Sequence, residues 1–475
     1  MSQLHDLTAG EQVAALEAGD LSSVELTAHY LDRIDRHDER LRCFITVVAE
    51  EATEAARLSD EARARGEVAG LLHGLPIALK DLYPAAGMRT TFGSAALADL
   101  VTPVDGPVVA ALRRTGAVFL GKTNTPEFGP TCYTETDVLG ATQNPFGEGM
   151  SPSGSSGGAA AAVAAGLVGI AHGSDGLGSL RTPAANCGLV GFKVTRGRRA
   201  GAGTGWLALA VEGALTRTVA DTALFLDAMG GATTSDLWDA GGVAPDCFRQ
   251  AAAREPGRLR IGVLSAPPGD IEVAPECQTA VRVAADALRV AGHTLEPFDP
   301  AGLPGMVDVR SAVKVMLATN FAVLLSTVIA PERHHLLMPY TRWLAESAAE
   351  YTSVDLARAE SALYAAAVQY RAVLAQYDVL LSPTTTGPPQ PIGGLRCDDG
   401  EESLAAMGRW SSFTPMANIS GTPAVSLPVH VSAEGLPIAV QLSASAGRDE
   451  LLISLSTQLE QAFRWQARHP DVWNA

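Results

Sequence analysis

An α/β fold, strands and helices interwoven in one domain, is what this sequence predicts, and three observations carry the prediction. Residues 258–300 read strand, helix, strand: Leu259 to Leu264, a helix from about Glu276 to Ala291, then His293 to Glu296. A unit of that kind pairs its strands in parallel within one sheet. Strand-like runs stand toward both ends of the chain, at Ile77 to Leu79 and again at Val379 to Pro383, Ala424 to Pro428 and Ile438 to Leu442. That arrangement points to one interwoven unit. Third, no internal repeat and no low-complexity linker divides the 475 residues.

The elements follow in order. Residues 4–65 carry apolar side chains at three- and four-residue steps and read as helices, with Asp20 or Ser22 as N-cap of the second. Phe44 to Val48 is a short strand, and Glu50 to Arg65 a charged helix stopped by Gly66. Ile77 to Leu79 is an apolar strand that delivers Lys80 at its end. Val108 to Phe119 reads as helix then strand, leading into a loop at Gly121 to Glu127. Gly154 to Pro183 forms the centre: two glycine-serine turns bracket the small apolar run Ala159 to Ala171, which suits a tight helix and strand. Gly188 to Lys193 is a buried strand; Leu215 to Thr218 leads into a helix at Val219 to Met229. Residues 230–256 are loop-rich, 305–375 read as long helices, and a helix at Glu450 to Phe463 closes the chain.

Composition narrows the function. A net charge of −17 argues against nucleic acid as the main partner. The one small-residue tract that tempts a membrane reading, Ala159 to Ala171, is too short to span a bilayer. The N-terminus lacks the basic-then-apolar pattern of a signal peptide, so a cytoplasmic protein is expected. The six cysteines, Cys43, Cys132, Cys187, Cys247, Cys277 and Cys397, have no zinc-like spacing, and the ten histidines form no HxxxH; no metal is expected.

One count points at chemistry. Of 35 basic residues only four are lysine: Lys80, Lys122, Lys193 and Lys314. Arginine stays protonated in proteins, whereas a buried lysine can lose its proton and act as a base. Lys80 follows an apolar run and reads either as a desolvated base or as a surface partner of Asp81. Residue chemistry alone makes Ser179, in a glycine-rich turn, the candidate nucleophile and Lys80 its proton acceptor. A triad of Ser179 with His172 and Asp175 is the competing reading, but no G-x-S-x-G elbow surrounds Ser179.

These pieces resemble the amidase signature family. The resemblance rests on His73-Gly74-Leu75-Pro76 with Lys80-Asp81, Gly121 to Glu127, Gly140 to Pro145, the core 151–183, Gly188 to Arg196, and the ending Gly421-Thr422-Pro423-Ala424 with Gly435-Leu436-Pro437 and Val440-Gln441-Leu442. It implies a single α/β/α domain with a central mixed sheet flanked by helices. Within 1–475 this assigns 1–66 to N-terminal helices, 67–230 to the signature core, 231–375 to the β-α-β unit and a helical pocket region, and 376–475 to C-terminal strands and the closing helix. The resemblance implies a Ser-cisSer-Lys triad of Ser179, Ser155 and Lys80, with Ser155 at a cis peptide. Backbone N–H groups of Gly176, Leu177, Gly178 and Ser179 then hold the oxyanion. Ser156, Thr131, Asp175 and Arg181 are candidate substrate contacts; Arg181 reads equally as half of a structural salt bridge. No cofactor is implied.

The sequence departs from the family pattern at Leu177, where glycine is common, at Ser153, a usual glycine, and at Val194, a usual proline. If position 177 needs φ > 0, Leu strains the loop; if not, its side chain crowds the site. The expected activity is hydrolysis of a small or medium non-protein amide through an acyl-enzyme. Alternatives kept open are an acyltransferase, esterase or carbamate hydrolase with the same triad, a subunit resembling the catalytic chain of the tRNA-dependent amidotransferase, and a weakly active binding relative. A homodimer is the assembly the resemblance suggests. Substrate determinants are expected in 85–100, 128–140, 305–345 and 405–418, which match no motif.

Overall fold

The computed structural model describes residues 3–198, 209–231, 238–241 and 244–475. The chain opens with helices α1 (Ala9–Ala18) and α2 (Ser23–Leu41), strand β1 (Phe44–Val47) and helix α3 (Ala49–Ala64). Ser22 is the N-cap of α2: its hydroxyl accepts from Glu25 N–H while the Glu25 carboxylate accepts from Ser22 N–H, a closed capping box. Then come β2 (Pro76–Lys80), α4 (Pro107–Arg114), β3 (Val118–Thr123), a two-stranded flap of β4 (Glu135–Thr136) and β5 (Gly140–Ala141), α5 (Gly157–Ala164), β6 (Ile170–Asp175), α6 (Arg181–Asn186) and β7 (Val190–Lys193). The second half adds β8 (Val211–Thr216), α7 (Val219–Met229), α8 (Cys247–Ala252), β9 (Arg260–Val263), α9 (Pro275–Val290) and β10 (Thr294–Pro297). Three helices follow, α10 (Met306–Val328), α11 (Pro339–Glu346) and α12 (Ser353–Leu374). The chain ends with β11 (Val379–Pro383), α13 (Gly400–Trp410), α14 (Pro415–Ser420), β12 (Ala424–Val431), β13 (Pro437–Ser443) and α15 (Asp449–Phe463).

Eleven strands form one mixed sheet in the order β1-β3-β2-β6-β8-β7-β12-β13-β11-β9-β10. The central strands are buried along their whole length, and helices cover the faces. Strand β2 pairs in parallel with both β3 and β6, and β9 in parallel with β10 and β11. The β-α-β reading of 258–300 therefore describes a real parallel pair, and the mixed α/β/α architecture is as expected.

Three details differ from the sequence reading. Gly121 to Thr123 are not loop but the end of β3, so Lys122 is a buried strand residue. Strand β8, which the sequence marks only as an approach to α7 because Glu212 and Gly213 break its apolar alternation, sits between β6 and β7 at the sheet's middle. The small-residue tract divides into α5 and β6, whereas among the described residues one stretch, Pro300–Val328, has the length and apolar composition to cross a membrane. That stretch includes α10, which packs against α11 and α12. Part of the loop-rich reading of 230–256 lies outside the described residues.

Candidate active site

The site is assembled by parallel pairing at one edge of the sheet's centre. In the β2–β6 pair Ala78 lies opposite Ala171, so Lys80 and Ser174 emerge side by side at the C-terminal ends of their strands. The Lys80 ammonium nitrogen donates to Ser155 Oγ at 2.8 Å and to Ser174 Oγ at 3.2 Å. Ser155 stands just before α5, and the Gly154–Ser155 peptide is cis. The Ser155 carbonyl accepts from Thr125 Oγ1 (2.9 Å), and Ser156 N–H donates to the Ser179 carbonyl (3.3 Å), which ties the two serine turns together.

Lys80 is fully buried. Burial pushes its pKa down to about 7, against the pull of Glu212 and Asp175, whose charges raise it. Glu212 sits behind the lysine, accepting from Tyr83 Oη (2.9 Å) and His172 Nε2 (3.0 Å). His172 is thus engaged with Glu212, while Asp175 faces Arg181, which removes the competing Ser-His-Asp arrangement. Asp81 does not pair with Lys80: its carboxylate accepts from Thr91 and lies 3.6 Å from the Lys122 nitrogen. A low lysine pKa is not by itself diagnostic. Lys193 is also pushed to about 7, by burial and by Arg181, yet it donates to the Val194 and Thr422 carbonyls at 2.8 Å each.

Asp175 and Arg181 organise the turn between β6 and α6. The guanidinium grips the carboxylate through Nε and Nη2, both at 2.9 Å, and both side chains are fully buried. Its remaining donors go to the Thr414 carbonyl, Gln441 Oε1 and Asn418 Oδ1. Burial alone would raise the Asp175 pKa, but Arg181, Lys193 and Asn418 hold it well below the usual carboxylate range. Neither residue opens on the cavity described below, so the substrate-contact reading of both is corrected to a structural ion pair. Ser156 is corrected likewise: it is buried, and its hydroxyl donates to the Ser174 carbonyl. Arg181→Met removes the guanidinium partner of a fully buried carboxylate. It is expected to destabilise the fold by about 3–5 kcal/mol, read from urea unfolding.

The turn resolves the Leu177 question. Leu177 is not among the residues with positive φ; that conformation falls on Gly178, at +132°. Leu177 instead lines the cavity, and its carbonyl accepts from Thr414 Oγ1 at 2.7 Å. A Cβ on Gly178 would lie 2.3 Å from Thr414 Oγ1. Gly178→Ala is therefore expected to lower the melting temperature by several degrees, about 1–3 kcal/mol in stability, and to impair the turn's chemistry together. A melt and an activity assay on that variant check both. The expected oxyanion set also changes. Gly178 N–H donates to Asp175 Oδ1 at 2.7 Å, so it is withdrawn from that set. Among the described residues the N–H groups of Gly176, Leu177 and Ser179 have no acceptor. Ser153 does adopt positive φ, +70°, and its hydroxyl donates to the Cys132 carbonyl at 3.0 Å.

Ser179 and Leu177 border a cavity of about 420 Å³, shared with Thr131, Cys132, Gly154 and Thr182. Helices α10 and α13 also line it, with Met306, Val309, Val313, Leu317, Leu404 and Met407. Thr131 thus stays at the cavity, where its Oγ1 donates to the Tyr133 carbonyl. Three of the four segments expected to hold substrate determinants contribute to the lining; 85–100 does not, and Pro268 to Ile271 were not foreseen.

The family model for Amidase matches residues 25–453. The chain belongs to the amidase signature family. It is an amidase, acting on amide C–N bonds. The 6-aminohexanoate-cyclic-dimer hydrolase of Paenarthrobacter ureafaciens is 34% identical to it, over 98% of this chain and 96% of that one. A glutamyl-tRNA(Gln) amidotransferase subunit of Chromohalobacter salexigens is also 34% identical, over 98% of this amidase and 99% of that protein. Among solved structures, a 6-aminohexanoate cyclic dimer hydrolase complexed with substrate superposes with a TM-score of 0.91 at 31% identity, covering 99% of the amidase and 100% of that chain. Sequence reasoning misses Glu212, Tyr83 and Ser174, which surround Lys80. Ser174 is legible in the central motif, beside the turn, but nothing in the sequence around Glu212 marks it.

Proposed function

We propose that this amidase hydrolyses a small or medium non-protein amide through an acyl-enzyme on Ser179. The observation that carries the reading is the buried Lys80–Ser155 contact of 2.8 Å at the edge of a cavity that Ser179 borders. Neutral Lys80 takes the proton of Ser155, and Ser155 takes that of Ser179. The Ser179 oxygen attacks the amide carbonyl. The developing oxyanion is met by N–H groups of Gly176, Leu177 and Ser179, each worth about 3 kcal/mol in sites of this kind. The proton relayed to Lys80 returns to the leaving nitrogen, and the C–N bond breaks. Water, deprotonated by the same relay, then releases the acid and restores Ser179.

Two further readings stay within reach of one experiment. An amine or alcohol in place of water would make the protein an acyltransferase. The amidotransferase chain from Chromohalobacter salexigens motivates the second, in which this protein works in a larger assembly. The test is turnover of acyl 4-nitroanilides by the isolated chain, with and without hydroxylamine. Free acid as main product supports hydrolysis. Predominant hydroxamate at low hydroxylamine supports acyl transfer, and no turnover of any amide favours the larger-assembly reading.

A further inference from the structure

The cavity beside Ser179 carries charged side chains in its lining. Of its lining residues only three are ionic: Arg310 on α10, Arg409 on α13, and Asp270. Asp270 and Arg409 are exposed, and Arg310 is half-buried. Among the described residues neither arginine makes an ion pair, and neither guanidinium donates a hydrogen bond. This holds in a chain of net charge −17, which has carboxylates in excess to pair with them. The stem of Arg310 is laid across α13 at Gly408: a Cβ there would stand 2.9 Å from Arg310 Cδ. The rest of that wall is aliphatic and thioether, from Met306, Val309, Val313 and Met407. The cavity lining therefore combines a nucleophile candidate, Ser179, with an aliphatic and thioether surface and with two guanidinium groups against one carboxylate, a net positive charge.

We infer that the cavity selects amides that carry a carboxylate separated from the scissile bond by a short apolar chain, with Arg310 and Arg409 receiving that carboxylate. The inference rests on the hydrolase reading for its location and extends it to a substrate class. A guanidinium offers a planar fork of donors that matches a carboxylate, and charge-assisted hydrogen bonds of this type are about twice as strong as neutral ones. Met and Val side chains lose contact with water as an aliphatic spacer covers them, which favours a chain over a compact polar substrate. Asp270 opposes the anion, so the selectivity is set by the two arginines against one carboxylate.

The experiment compares two matched pairs. The first is adipic acid mono-4-nitroanilide against its methyl ketone analogue, with the carboxylate on the acyl side. The second is N-hexanoyl-5-aminopentanoate against its methyl ketone analogue, with the carboxylate on the amine side. In at least one pair kcat/KM for the carboxylate is expected to exceed that of the ketone by about tenfold or more at low ionic strength. That ratio is expected to shrink in 0.5 M salt and to fall toward one in Arg310→Met and in the Arg310→Met, Arg409→Met double variant. Gly408→Ala, which displaces the Arg310 stem, is expected to lower the same ratio. A ratio near one in both pairs, or a preference that both arginine variants retain, overturns the inference while leaving amide hydrolysis standing. If neither member of either pair is turned over, the hydrolase reading is what fails. Calorimetry of hexanoate against 2-heptanone on the Ser179→Ala protein then decides the subsite alone: Arg310-dependent preference for hexanoate supports it, and equal or absent binding overturns it.

Discussion

Ser179→Ala is expected to lower kcat by about 10⁴-fold or more while leaving the fold intact. The size of the loss follows from the chemistry. On the proposed route no acyl-enzyme forms without the hydroxyl, and only the N–H groups of the turn and the cavity remain to promote direct attack by water. The structural cost is small because the Ser179 side chain makes no hydrogen bond among the described residues. The contact that joins the serine turns uses the Ser179 backbone carbonyl, which alanine keeps. A thermal melt within a degree or two of the parent, together with lost turnover, is the expected pair of results. Retained turnover would place the nucleophile elsewhere.

Lys80→Met is expected to lower kcat by about 10²–10⁴-fold, the usual range for removal of a general base. Methionine matches the length of the lysine stem and fits a fully buried position, so lost packing does not dominate. The pH dependence carries more information than the loss itself. With Lys80 at about 7 and required neutral, activity rises with pH through that value, and an acid limb in kcat/KM is expected near pH 7. Glu212 favours the charged amine, so Glu212→Gln moves that limb to lower pH, and a pH–rate profile measures the displacement. An acid limb that stays in place would mean that another group titrates, or that Glu212 does not act on Lys80.

The positions that sequence reading locates best are those whose chemistry is local. The turn residues 173–179 and Lys80 at a strand end can be named from residue type, Ser155 before α5 only from the family resemblance, and β2–β6 pairing brings Lys80 and Ser174 together. What escapes is whatever depends on partners far along the chain. Arg181 pairs with nearby Asp175, but its remaining donors are taken by Thr414, Asn418 and Gln441, more than two hundred residues away. Gly178 has the form of an oxyanion donor, but the Asp175 carboxylate occupies its N–H. Leu177 can be read both ways because φ is not a property of the residue type; the positive value falls one position later. Strand β8 is hidden for a related reason. Its Glu212 is buried only because Tyr83 and His172 meet it there, and that meeting cannot be inferred from the hexapeptide itself.

An activated Ser179 in a usable oxyanion turn would react with a phosphonylating probe. Intact-mass measurement after treatment with a fluorophosphonate, beside the Ser179→Ala variant, tests it most directly. One adduct per chain is expected, mapped to the peptide containing Ser179 and absent from the variant. No adduct on well-folded protein, or an adduct that persists in the variant, would contradict it.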